Sequence, residues 1–171
     1  MTRRPSLSEL ESQARERGLL LRLQVGRPLN LWSLKVVVAE ELAESRVQLW
    51  GEMKGWAYGG EKGLQLDTMR VRSDSPPGVG DLIWAATMAW ALEATPCRQA
   101  RLLAIRDGDN QYQRLVRYFQ QRGFSTVREV GSAPLDLSLR MVWGGAGALM
   151  VANCSEVLDR SWRRWQASFT P

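Results

Sequence analysis

The spacing of hydrophobic and polar positions along this chain changes several times, and each change marks an element. "SLSELESQARERG" opens with Ser6 as an N-cap and Glu9 three residues on, a capping box, and closes on Gly18. A short helix is predicted over roughly residues 7 to 17. "LLLRLQV" (19–25) alternates weakly and reads as a strand, and "GRPLN" as a loop. "LKVVVAEEL" (34–42) mixes a β-branched run with helix formers, and the meander after it favours a strand. "RVQLWGEMKGWAY" (46–58) alternates, with Gly51 as the expected bulge. After the turn "GGEKG", residues 64–72 form a two-faced strand: Leu64, Leu66, Thr68 and Arg70 against Gln65, Asp67, Met69 and Val71. Residues 80–94 are apolar nearly all round, the pattern of a helix buried against a sheet. A strand (100–107), an amphipathic helix (110–123) with Leu115, Val116 and Phe119 inward, and strands over 124–130 and 135–143 follow. "GGAG" (144–147) breaks the chain, and Ser155 to Ser168 form a basic amphipathic helix. This order predicts an α/β fold, a mixed sheet with helices on its faces, in one domain spanning 1–171.

Composition narrows the chemistry. There is no His, and Cys97 and Cys154 have no metal-ligand spacing, so no metal site is expected and both thiols read as small core residues. The net charge is +5, but no basic run exceeds two residues, so nucleic acid is not expected as a partner. The excess of Trp (8 residues) and Arg suits a contact surface as well as a core. No stretch resembles a signal peptide or reaches the ~20 apolar residues of a membrane span, so a cytoplasmic location is expected.

The segment "SDSPPGVGDLIW" carries the sharpest signal. Gly78 and Gly80 let a ligand approach the backbone, and the amides of Val79, Gly80, Asp81 and Leu82 are the donors freed at a helix start. Their dipoles suit a diphosphate. A strand, then x-x-x-G-x-G, a long apolar helix, a strand and a helix ending "FQQRGF" resembles the GNAT superfamily of acyl-CoA-dependent N-acyltransferases over residues 34 to 143. The resemblance implies a mostly antiparallel sheet with helices on both faces. It implies acetyl-CoA as cofactor, its diphosphate held at Gly78, Val79 and Gly80. It also implies an amine acceptor, and an acyl carbonyl bonded to backbone at Met69, Arg70 or Val71. For a base that deprotonates the amine, Asp67 is the best placed carboxylate, with Glu40, Glu41 and Glu52 as others.

Some residues differ from the family's pattern. Ser75 stands where Gln or Arg is usual, Asp81 lies in the first helical turn, and Phe119 takes the place of a Tyr that often protonates the leaving thiolate. Tyr118 is adjacent, but one residue turns a helix by about 100°, so it is expected to point elsewhere. The acceptor-binding helices usual between the first two strands are replaced by "GRPLNLW". These differences and the Trp and Arg excess keep a second expectation open: a non-catalytic GNAT-fold protein that binds a protein partner in an assembly or regulatory role.

Overall fold

The computed structural model describes residues 3–105, 109–130 and 147–170. Helix α1 (Leu7–Glu16) starts at the expected capping box: the Glu9 amide donates to Ser6 Oγ at 3.1 Å and the Ser6 amide to Glu9 Oε2 at 2.7 Å. Strands β1 (Leu20–Gly26), β2 (Trp32–Glu41), β3 (Val47–Ala57) and β4 (Leu64–Val71) form the meander. Helix α2 (Val79–Ala94), β5 (Gln99–Ile105), α3 (Asp109–Gln121), β6 (Ser125–Val130), β7 (Gly147–Asn153) and α4 (Cys154–Ala167) complete the described elements.

The strands lie in the order β1-β2-β3-β4-β5-β7-β6. Every described pairing is antiparallel except β4 with β5. The bulge expected at Gly51 sits one residue earlier. Gly51 faces Val38 while Leu49 faces Ala39, so Trp50 is the extra residue. A larger correction concerns β7. The spacing predicts a break at "GGAG", yet Gly147 begins a strand that enters between β5 and β6. Gly147 is needed there because an added Cβ would collide with the Ala104 carbonyl on β5. The strand expected over 135–143 lies outside the described residues.

The core is built on α2. Every residue from Leu82 to Ala91 is buried, because β2 and β3 cover one side and α1 and α4 the other. The one polar side chain in that run, Thr87, donates to Ile83 O at 2.8 Å and so stays satisfied. Trp165 of α4 is fully buried, and its Nε1 donates to Gln13 Oε1 at 3.0 Å, tying α4 to α1. Cys97 and Cys154 are free and buried, and burial pushes the Cys154 thiol up to about 12. Among the described residues no helix is long and apolar enough to cross a membrane, and no cluster of ligating side chains could hold a metal.

Candidate functional site

The site begins with a misfit between two strands. β3 pairs with β4 at Lys54↔Thr68 and then at Gly55↔Leu66, so Asp67 is an extra residue in β4. A bulge bends its strand and increases the local twist. β4 then leaves β5: the parallel pairing is confined to Leu64↔Ala100 and Gln65↔Arg101. From Asp67 to Val71 the β5 side of β4 has no strand partner among the described residues. Two small cavities mark the opening. One of 50 Å³ lies among Asp67, Met69, Trp84, Leu102 and Phe119, and one of 260 Å³ among Met69, Val71, Leu115, Tyr118 and Phe119.

The opening leads to the start of α2. Gly78 is the N-cap at φ 86°, and no side chain caps the helix. Glycine is required here twice over, since φ is left-handed and an added Cβ would collide with Ser168 Oγ at the end of α4. Gly80 faces the opening: an added Cβ would meet Tyr118 Oη at 3.7 Å and Met69 Cε at 3.8 Å. The free donors are fewer than expected. The Val79 amide turns back to Pro76 O at 3.5 Å and the Leu82 amide makes the first helical bond to Gly78 O at 2.9 Å. Among the described residues the Gly80 and Asp81 amides make no backbone hydrogen bond.

The arrangement resembles the one that the sequence pattern led to expect. A mostly antiparallel sheet opens at its parallel strand pair, and the loop of a long helix sits over that opening. No protein-family model matches the chain, and no curated protein matches it. Solved structures similar to it include nourseothricin acetyltransferase, 14% identical over 80% of this chain and 88% of that one at a TM-score of 0.49. A chimera of spermidine N-acetyltransferase SpeG from Vibrio cholerae and hSSAT is 11% identical, covering 74% and 70%, at 0.49. A GNAT-family acetyltransferase from Streptococcus pneumoniae is 15% identical, covering 71% and 66%, at 0.46. Likeness at this level says nothing of substrate or activity.

At this opening, α3 brings side chains that the spacing argument missed. Tyr118 does not point away. Its hydroxyl accepts from Trp84 Nε1 at 3.0 Å, beside Gly80, while Phe119 lines the same opening. The 100° step separates the two Cβ directions, but a phenol is long enough to bring its hydroxyl back to the loop. Burial is the main cause that raises the Tyr118 pKa, so the phenol holds its proton at neutral pH.

Arg122, just before the helix stop at Gly123, lies flat against Tyr118, with its guanidinium carbon 3.6 Å from the ring centre. Its Nη1 donates to Tyr118 O at 3.2 Å and its Nη2 to Asp81 Oδ1 at 3.2 Å, while Nε is buried without a partner. Asp81 is therefore not a helix cap but one half of a buried ion pair. Burial raises the Asp81 pKa, opposed by Arg122 and Arg164, and burial lowers that of Arg122. The sign follows from linkage. A raised folded-state pKa gives stability that is complete below the ordinary carboxylate value and is lost as pH climbs through the raised one. Urea titrations over that pH range are expected to show wild-type stability falling relative to Asp81→Asn; a pH-independent difference would refute this.

On the face of β1–β4 turned away from α2, a cleft of 710 Å³ runs over Gln24, Ser33, Lys35, Lys54, Trp56 and Asp67. It is open because β1 passes to β2 through a single tight turn at Pro28–Asn30. Asp67 is exposed and is a wall of both this cleft and the 50 Å³ cavity. The other carboxylates are engaged elsewhere: Glu40 accepts from Trp50 Nε1 at 2.9 Å and Glu52 pairs with Lys35 at 3.6 Å. Glu41 is exposed at the end of β2. Met69 is half-buried in the opening, Arg70 lies opposite Glu52, and Val71 is exposed at its outer end. Val79 is buried below the loop.

Proposed function

We propose that this protein is an acyl-CoA-dependent N-acyltransferase that moves an acetyl group to an amine. One observation carries the reading. The bulge at Asp67 lies where β4 leaves β5; Asp67 borders both the open cleft and the small cavity in the seam, and Met69 borders that cavity and lies beside Gly80 at the uncapped, glycine-built helix start. The donor set suits a diphosphate: two helix-start amides, with the Asp81 charge offset by Arg122.

Acetyl-CoA supplies an activated acyl thioester when bound. The chain's own groups do the rest. Gly80 and Asp81 offer amides, and Gly78 and Val79 shape the loop. The unpaired edge of β4 at Met69, Arg70 and Val71 aligns the acyl carbonyl by strand-like hydrogen bonding and polarises it. Asp67, standing between cleft and opening, accepts the proton of the attacking amine. Tyr118 holds its proton next to the loop, where it can be given to the departing sulfur. Met69, Leu115 and Phe119 keep bulk water from the opening.

Calorimetric titration with acetyl-CoA tests the reading. Saturable binding tighter than ~1 mM, one ligand per chain, is expected. No heat beyond dilution at millimolar ligand overturns it.

A further inference from the structure

Helix α4 carries three arginines that its own fold leaves mostly unspent. Arg160, Arg163 and Arg164 stand three and four residues apart and so share one face, where like charges repel and weaken a helix. Arg160 is paired with Glu156 Oε1 at 2.7 Å. Arg163 Nε reaches only a backbone carbonyl of its own helix, Asp159 O, at 3.3 Å. Arg164 is exposed, and its place in the last turn gains from the helix dipole. That gain does not extend to Arg160, a turn further back. The three side chains line a 460 Å³ hollow whose other walls are Gln121 and Ala167, with no carboxylate among them.

The hollow is linked to the helix-start loop through Gln121 and its neighbour Arg122. Arg160 Nη1 donates to Gln121 O at 3.2 Å, and the next residue is Arg122, the partner of Asp81 in the first turn of α2. The charge of Arg164 is felt at both Asp81 and Arg122. One turn beyond Arg164, Ser168 abuts Gly78. A ligand whose diphosphate lies at Gly80 and Asp81 therefore has an arginine-walled recess near it, in which Arg163 and Arg164 carry no carboxylate partner among the described residues.

We infer that this recess is a phosphomonoester site and that its occupant is the 3′-phosphate of the ligand bound at the loop, coenzyme A. A monoester is a compact dianion with three acceptor oxygens, and guanidinium forks match it in geometry and charge. The inference rests on the acyl-CoA reading and adds to it a means of distinguishing coenzyme A from its dephosphorylated form.

Calorimetry on the full chain is the test, with coenzyme A, dephospho-coenzyme A and adenosine 3′,5′-bisphosphate as ligands. Coenzyme A is expected to bind ~10–100-fold more tightly than the dephospho form, by a margin that narrows as salt is added. Arg163→Gln, at the arginine whose charge is not felt at Asp81 or Arg122, is expected to narrow that margin while leaving dephospho-coenzyme A affinity unchanged, with circular dichroism confirming the fold. Adenosine 3′,5′-bisphosphate is expected to compete with coenzyme A. Equal affinity for the two coenzyme forms overturns the inference and leaves the enzyme reading standing. Simultaneous binding of the bisphosphate and coenzyme A also overturns it, since the recess would then be a separate site. Absence of binding by both coenzyme forms overturns inference and reading together.

Discussion

Trp84→Ala is expected to destabilise the protein by about 3–5 kcal/mol, the usual cost of emptying a large buried aromatic site. For a chain of this size that lowers the melting temperature by roughly 6–20 °C. Trp84 is 1% exposed and sits where α2 meets α3. Its ring meets Phe119 edge-on at 6.0 Å and Phe124 at 5.5 Å, and its Nε1 holds the Tyr118 hydroxyl at 3.0 Å. No neighbour can refill the space without moving the rings that line the opening. Trp84→Phe separates packing from positioning: much of the ring volume stays, while the N–H that orients Tyr118 is lost. Chemical denaturation should place it well above Trp84→Ala in stability, and activity should fall in both. Equal stability of Trp84→Ala and wild type would show that α3 is not fastened to α2 through this residue.

The same residue shows which parts of the fold could be read in advance. The apolar run of 80–94 announces a helix buried all round, because burial and the helical period are local properties of the string. The capping box and the left-handed Gly18 are equally local. What was not legible depends on register or on distant partners. Alternation assigned Asp67 and Met69 to one face of the 64–72 strand, but the bulge at Asp67 breaks that alternation, and it exists only through the pairing with β3. β7 begins in glycine and alanine, poor strand formers, and is a strand because β5 and β6 border it on both sides. Asp81 acquires its partner from Arg122, 41 residues away, so nothing beside it in sequence tells a cap from an ion pair. That partner also alters the design logic of the loop. Asp81→Ser would leave the buried Arg122 without its carboxylate, so relieving the acid alone does not improve an anion site. Arg122, in the "RGF" that signals a helix end, could have been noticed as the one cation there, but only the fold places it over Tyr118.

Asp67→Asn is expected to lower kcat/KM for acetyl transfer by roughly 10²–10⁴-fold, the range set by loss of a general base, while acetyl-CoA affinity stays close to that of the wild type. The split follows from where Asp67 stands. It is far from the loop amides in the chain, and it is the one described carboxylate that walls both the open cleft and the strand opening. An acceptor amine entering from the cleft passes it before reaching an acyl group aligned on Met69 to Val71. Asparagine keeps a residue of the same shape in the bulge, so the β4–β5 divergence survives and only proton acceptance is lost. A rise in the residual rate with pH, as more of the acceptor is already free amine, would separate a lost base from a damaged cleft. Glu41→Gln, at the exposed end of β2, is the control and should leave the rate alone. An Asp67→Asn enzyme within threefold of wild type would remove Asp67 from the reaction. The bulge would then remain as a purely geometric device, opening the seam for a thioester whose amine partner loses its proton to water.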